Sequence, residues 1–193
     1  MPFSSYAILE QLDDSIKLKQ WLKNNAEGLL LMAEQMVLCL KAGHKIIFLG
    51  NGGSAADAQH LAAELVGRFG RDRDPLPALA LTENMAIVTA IANDWSYDDV
   101  FSRQIKAIAQ PDDIVVGIST SGHSPNVIKA IEESRALGAV TLGFTRQGSK
   151  LERIVDHCLA IPSQNVARIQ ETYMVAGHLL CYLIEEKLYG IDS

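Results

Sequence analysis

The sequence predicts an α/β protein in which a parallel sheet lies between layers of helices, and three observations carry that prediction. Five short, β-rich apolar runs recur along the chain, stretches of helical periodicity separate them, and polar loops rich in Gly and Ser directly follow two of the runs. Strand and helix in alternation is the pattern of a parallel sheet, because each strand must be returned to its starting edge by a crossover that is usually a helix.

The elements follow in order. Apolar residues repeat at helical spacing through Ile8 to Leu22 and from Leu29 to Leu40, and Gly43 stands where the second helix should stop. The expected strands are Ile46 to Leu49, Ala78 to Leu81, Ile114 to Ile118, Val140 to Phe144 and a weaker Cys158 to Ile161. A long periodic stretch from Ala167 to Leu188 closes the pattern. No internal repeat and no Pro/Gly/Ser-rich linker interrupts it, so residues 1–193 read as one domain, with 1–42 as an N-terminal helical extension.

Bulk properties narrow the class. With 193 residues, 48% of them hydrophobic and 21% charged, the chain needs no disulfide or metal staple to fold. A chain of this size buries roughly 70% of its unfolded surface. Cys39, Cys158 and Cys181 form no CxxC pair and sit in apolar runs, which suits reduced core residues and a cytoplasmic protein. The opening MPFSSYAILEQLDDS lacks a basic segment followed by an apolar one, and no apolar run reaches the roughly 18 residues of a membrane span. Neither export nor a membrane partner is expected. A net charge of −6 argues against broad attraction to nucleic acid, so an anionic substrate would need local help.

Two loops offer that help. In open parallel sheets ligands gather at the carboxyl ends of the strands. GNGGS, Gly50 to Ser54, follows the first strand, and STSGHS, Ser119 to Ser124, follows the third. In the first loop Ser54 is placed to cap the next helix, with Asp57 three residues on, while Gly52 and Gly53 let the backbone approach a ligand. In the second, Ser124 is a suitable N-cap and Pro125 suits the first helical position. Helix N-termini present free N–H groups and partial positive charge to an anion. Ser119, Thr120, Ser121 and Ser124 add hydroxyls, making a phosphate-sized cradle without a lysine. GNGGSA also satisfies a loose dinucleotide pattern, but no acidic residue ends a second strand about 20 residues later. No GK[ST] P-loop is present either. The loops favour a sugar phosphate over a nucleotide.

His60 and Glu64 lie four apart on the helix that follows the first loop and so share a face, the arrangement of a metal-binding pair and equally of a solvated surface pair. His178, within MVAGHLLCYLI, reads either as a satisfied core histidine or as a site residue. Gln170, in ARIQET, carries no signal on its own. His44, His123 and His157 read as loop or surface residues.

GNGGSAADAQHLAAEL, TAIANDWSYDDVFSRQ, GISTSGHSPNVIKAI and ARIQETYMVAGHLL, in this order and over nearly the whole chain, resemble the bacterial phosphoheptose isomerases of the sugar isomerase (SIS) family. The resemblance implies a three-layer, flavodoxin-like α/β/α sandwich around a five-stranded parallel sheet. It also implies a homotetramer with active sites at subunit interfaces, and one zinc ion per subunit. The implied reaction converts sedoheptulose 7-phosphate to D-glycero-D-manno-heptose 7-phosphate, the first step towards ADP-heptose and lipopolysaccharide core. Residues matching the family's substrate loops are Asn51, Gly52, Gly53, Asn93, Asp94, Ser119, Thr120, Ser121 and Ser124, together with Glu64 and Gln170. Glu64 matches the base and His178 the acid; His60, Glu64, Gln170 and His178 match the zinc ligands. The alternatives are an isomerase of another phosphosugar and a non-catalytic binder of the same fold that regulates replication initiation. That sister group lacks the Glu and His, which are both present here.

One spacing needs the structure. Gln170 and His178 are eight residues apart, about 12 Å along a straight helix. Either Gln170 precedes the helix and reaches back, or the two residues serve different copies of the site on neighbouring subunits, the arrangement favoured here.

Overall fold

The computed structural model describes residues 5–190. Helices α1 (Ser5–Asn24) and α2 (Ala26–Lys41) lead into β1 (Ile46–Gly50), α3 (Gly53–Val66), β2 (Ala78–Ala80) and α4 (Met85–Asp94). A 3-10 turn at Tyr97–Asp99 precedes α5 (Ser102–Ile108), β3 (Ile114–Ser119), α6 (Pro125–Ala136), β4 (Val140–Arg146), α7 (Lys150–Ile154), β5 (His157–Ile161) and α8 (Val166–Tyr189). The five strands form one parallel sheet in the order β2-β1-β3-β4-β5, with Ile46 opposite both Ala78 and Ile114. This is the flavodoxin-like order, whose switch point lies between β1 and β3.

Side chains alternate across the sheet with the two-residue period of a strand. Ile46 and Phe48 of β1 join Ile114, Val116 and Ile118 of β3 in a core shared with α1, α2, α3 and α8. Ile47, Leu49 and Val115 face the opposite way, into a core with α4, α5, α6 and α7. The three layers are therefore those expected. Helix α2 is part of the first core, where Met32, Met36 and Val37 are buried. Alternating burial in α2 gave the periodicity, but periodicity alone does not reveal which layer a helix joins. Gly43 ends α2 as expected, with φ +83 and its N–H on the Leu40 carbonyl.

Asp113 at the start of β3 is fully buried and anchors the sheet's amino edge. It accepts from the backbone N–H groups of Lys45 and Gln110 at 3.0 and 2.8 Å and from Lys45 Nζ at 2.6 Å. With that edge sealed, the free loops lie at the carboxyl edge.

Candidate active site

Helix α3 springs directly from β1. Its N-cap is Gly52, with φ +55 and ψ −121, a conformation open to glycine and costly for other residues. Ser54 therefore lies inside the helix and does not cap it, contrary to the sequence expectation. Its hydroxyl is spent on the Tyr173 hydroxyl at 2.7 Å, in the buried seam between α3 and α8. A Cβ on Gly53 would stand 2.6 Å from Gln170 Nε2, so the missing side chain lets α8 approach the loop.

Gln170 lies within α8, which excludes the alternative that it precedes the helix. Its Nε2 donates to Asp57 Oδ2 at 2.7 Å. Burial raises the Asp57 carboxyl above its ordinary range, and bonds from Gln170 and Tyr173 offset only part of that. Burial likewise pushes the Tyr173 phenol up. Neither Asp57 nor Tyr173 was read as a site residue from sequence. The available signal was spacing: Tyr173 is three residues from Gln170, on the same face of α8.

One to two turns further along both helices, the histidines meet. His60 Nε2 and His178 Nε2 are 2.8 Å apart, and Glu64 Oε1 lies 3.5 Å from His60 Nε2. The rings are edge to face with centroids 5.0 Å apart, and Phe69 lies against His178 at 5.7 Å. Gly177 makes this approach possible, since a Cβ there would stand 2.6 Å from the buried Leu61 Cδ2 on α3. His60, Glu64 and His178 thus come together inside one chain, while Gln170 bonds to Asp57 instead.

Two imidazole nitrogens and a carboxylate oxygen are a donor set of the type zinc takes. As they stand, the two Nε2 atoms are hydrogen-bonded at 2.8 Å, closer than the roughly 3.4 Å separating two nitrogens on a tetrahedral zinc. Among the described residues no group of three or more His, Cys, Asp and Glu is spaced to hold a metal ion. The residue types fit the metal; their spacing is that of a proton-sharing pair.

The serine loop forms a second centre. Ser119 Oγ lies 3.4 Å from Ser121 Oγ and 3.1 Å from Ser124 Oγ, and accepts from the Gly122 N–H at 3.1 Å. Ser121 Oγ accepts from the His123 N–H at 3.2 Å. Ser124 occupies the N-cap position of α6 with Pro125 following, as expected, but its hydroxyl turns to Ser119 and caps no N–H. Gly122 adopts φ +64, and a Cβ there would overlap the Ser149 and Thr145 side chains, so only glycine fits the turn. Thr120 is half-buried and Ser121 exposed.

Asn51 ties the two loops together. Its side-chain amide exchanges two 2.8 Å hydrogen bonds with that of Asn126 at the start of α6, and Tyr97 Oη donates to Asn51 Oδ1 at 3.1 Å. Neither Asn126 nor Tyr97 was singled out from sequence, because the pairing spans distant segments. Asn93 and Asp94 end α4, exposed, with Asn93 Nδ2 donating to Asp94 Oδ1 at 2.9 Å.

The profile of the SIS domain matches residues 13–146. The chain is 47% identical over 188 residues to the phosphoheptose isomerase of Thermodesulfovibrio yellowstonii, covering 96% of this chain and 94% of that one. Among solved structures, a phosphoheptose isomerase from Francisella tularensis superposes with a TM-score of 0.92 at 35% identity, over 96% of this chain and 100% of its own. That from Neisseria gonorrhoeae gives 0.88 at 38% identity, over 94% and 98%. A sheet of this order with hydroxyl-rich loops at its carboxyl edge is the SIS architecture, and the similarity to these relatives makes the chain an isomerase. The chain belongs to the SIS-domain family and, within it, to the phosphoheptose isomerases.

Proposed function

We propose that the chain interconverts sedoheptulose 7-phosphate and D-glycero-D-manno-heptose 7-phosphate, at the head of ADP-heptose supply for lipopolysaccharide core. The observation that carries this reading is the meeting of His60, Glu64 and His178, a carboxylate beside a hydrogen-bonded imidazole pair. Aldose–ketose isomerisation moves a proton between C1 and C2 and shuttles protons on the two oxygens. The Glu64 carboxylate takes and returns the carbon-bound proton, and His178 gives and takes the proton on oxygen. His60 shares the His178 proton and so holds that ring in place. The hydroxyls of Ser119, Thr120, Ser121 and Ser124, at the N-terminus of α6, bind the phosphate and supply remote binding energy that orients the reacting carbons. Asn51, Gly52, Gly53, Asn93 and Asp94 hold the sugar hydroxyls in this reading. A zinc ion would be held by His60, Glu64 and His178, taking the place of the hydrogen bond between the two imidazoles, with Gln170 of a neighbouring chain as the fourth ligand, and would polarise the carbonyl as a Lewis acid.

The same reading includes a homotetramer with composite sites. Glu64 lies eleven residues beyond Gly53, about 16 Å along α3. That exceeds the span from carbonyl to phosphate in an extended heptose phosphate, and the serine loop is tied to this glycine loop through Asn51 and Asn126, which supports a site in which the loops of one chain serve the Glu64 of a neighbour. Gln170, held near Gly53 and about 12 Å from His178 along α8, belongs with the loop side of such a site. Ile8, Leu9, Leu12 and Ile16 of α1 are each more than half exposed, an apolar face suited to such an assembly. No helix among the described residues is long and apolar enough to cross a membrane, which accords with work in the cytoplasm.

A product-resolved assay over a panel of ketose phosphates, with and without zinc, tests the proposal. Conversion of sedoheptulose 7-phosphate at the highest kcat/KM is expected, and Glu64→Gln should lower it by about 10²-fold or more. Faster turnover of another phosphosugar would reassign the substrate. A pure binding module would give no product at any metal concentration.

A further inference from the structure

Helix α3 ends without a standard cap. Its C-cap residue Gly67 has φ −78 and ψ −104, outside the left-handed conformation that usually closes a helix. Arg73 serves in its place. Nη1 donates to the Leu65 and Asp74 carbonyls at 2.8 and 2.9 Å, and Nη2 donates to the carbonyl of Glu64 at 2.9 Å. The Arg73 side chain is only 1% exposed, and its Nε donates to Glu185 Oε1 at 2.9 Å.

Glu185 is the other half of the device. It sits seven residues after His178, two turns along α8 and on the same face. Its carboxylate accepts from the backbone N–H groups of Phe69, Gly70 and Arg71 at 2.8, 2.9 and 3.0 Å. Glu185 therefore fixes the loop that carries Phe69, and Phe69 is the ring that lies against His178. The ion pair thus bolts the backbone of Glu64 on α3 to α8 while setting the wall behind His178.

We propose that Arg73 and Glu185 are positioning residues for the reaction: together they set the placement of Glu64 relative to His178. The inference rests on the assignment of those two as the reacting groups. A displacement of about 1 Å at a reacting group can cost on the order of 10²-fold in rate. The phosphate loop belongs to β3 and α6, outside this network, so the effect should fall on kcat and spare KM.

The test uses the full-length enzyme with sedoheptulose 7-phosphate, with kcat expressed per folded molecule from circular dichroism. Arg73→Lys keeps the charge beside Glu185 but cannot reach the two helix carbonyls and Glu185 together. Its kcat should fall about tenfold or more with KM within about twofold. The paired replacement Arg73→Met with Glu185→Gln removes the ion pair while keeping an oxygen to accept from the loop N–H groups. It should fold and show the same selective loss. Wild-type kcat per folded molecule in either variant, or a rise in KM at unchanged kcat, overturns the proposal. Glu64→Gln runs beside them as a control. If that variant stays active, the assignment of the reacting groups fails; if it is dead while the Arg73 variants turn over normally, only the positioning role fails.

Discussion

At the scale of single residues, the serine loop makes the clearest prediction. It offers four hydroxyls and no Lys or Arg, and Ser119 is the hub that bonds Ser121, Ser124 and the Gly122 N–H. The double variant Ser119→Ala with Ser121→Ala should raise KM for the phosphosugar by about 10²-fold, since two charge-assisted hydrogen bonds of roughly 1.5 kcal/mol each are lost. Steady-state kinetics measure it; an unchanged KM would place the phosphate elsewhere. This loop was legible because its chemistry is contiguous in sequence. Ser54 was misread for the opposite reason: its hydroxyl answers to Tyr173, a partner 119 positions away that no local capping rule can see. The tie from Asn51 to Asn126 spans 75 positions and is equally invisible to local rules.

At the scale of elements, α3 and α8 run side by side in the same direction, joined successively by Gln170 to Asp57, His178 to His60, and Glu185 to the loop after α3. Glu185 makes the pH dependence of this joint predictable. Burial disfavours its charged form, but the three backbone N–H groups and Arg73 outweigh that and hold its carboxyl below the ordinary 4.5. A carboxylate with a depressed folded value contributes stability that is fully present above about 4.5 and is lost as pH falls through the lowered value. Glu185→Gln should therefore cost about 3 kcal/mol at pH 7. The gap to wild type should narrow steadily in acid below that range. Urea unfolding of both proteins at neutral and acid pH measures it, and a gap that does not change with pH would rule out a role for the charge. The helices themselves were legible from period alone, because each buries one face. Their side-by-side pairing was not, since periodicity names a buried stripe without naming what covers it.

At the scale of the molecule, the strand alternation announced the parallel sheet and its layers, and the resemblance implied a flavodoxin-like sheet, which the order β2-β1-β3-β4-β5 bears out. The division of the site between chains reads differently from the sequence expectation. Glu64 and His178 belong to one cluster in one chain, so mixing a Glu64→Gln chain with a His178→Ala chain should restore no activity. Mixing Glu64→Gln with the Ser119→Ala, Ser121→Ala chain should restore turnover at low substrate, where the serine variant alone is weak, because the proposed composite arrangement reunites an intact cluster from one subunit with an intact loop from another. Assays on subunits denatured together and refolded decide this. Activity in the first mixture would divide the cluster between chains, and no low-KM component in the second would confine the whole site to one chain. The spacing of Gln170 and His178 hinted at such sharing, but only the side-chain partners indicate where the cut falls.

Gly177 carries no functional group, yet the two helices close to a proton's width at the imidazoles because nothing projects there towards Leu61. The tolerance map of this enzyme should therefore hold a blind spot for any survey that ranks positions by chemistry. A single methyl group at 177 would work as a wedge, pressing on Leu61 and driving His60 away from His178, so a residue defined by what it lacks constrains the sequence as tightly as one that carries chemistry.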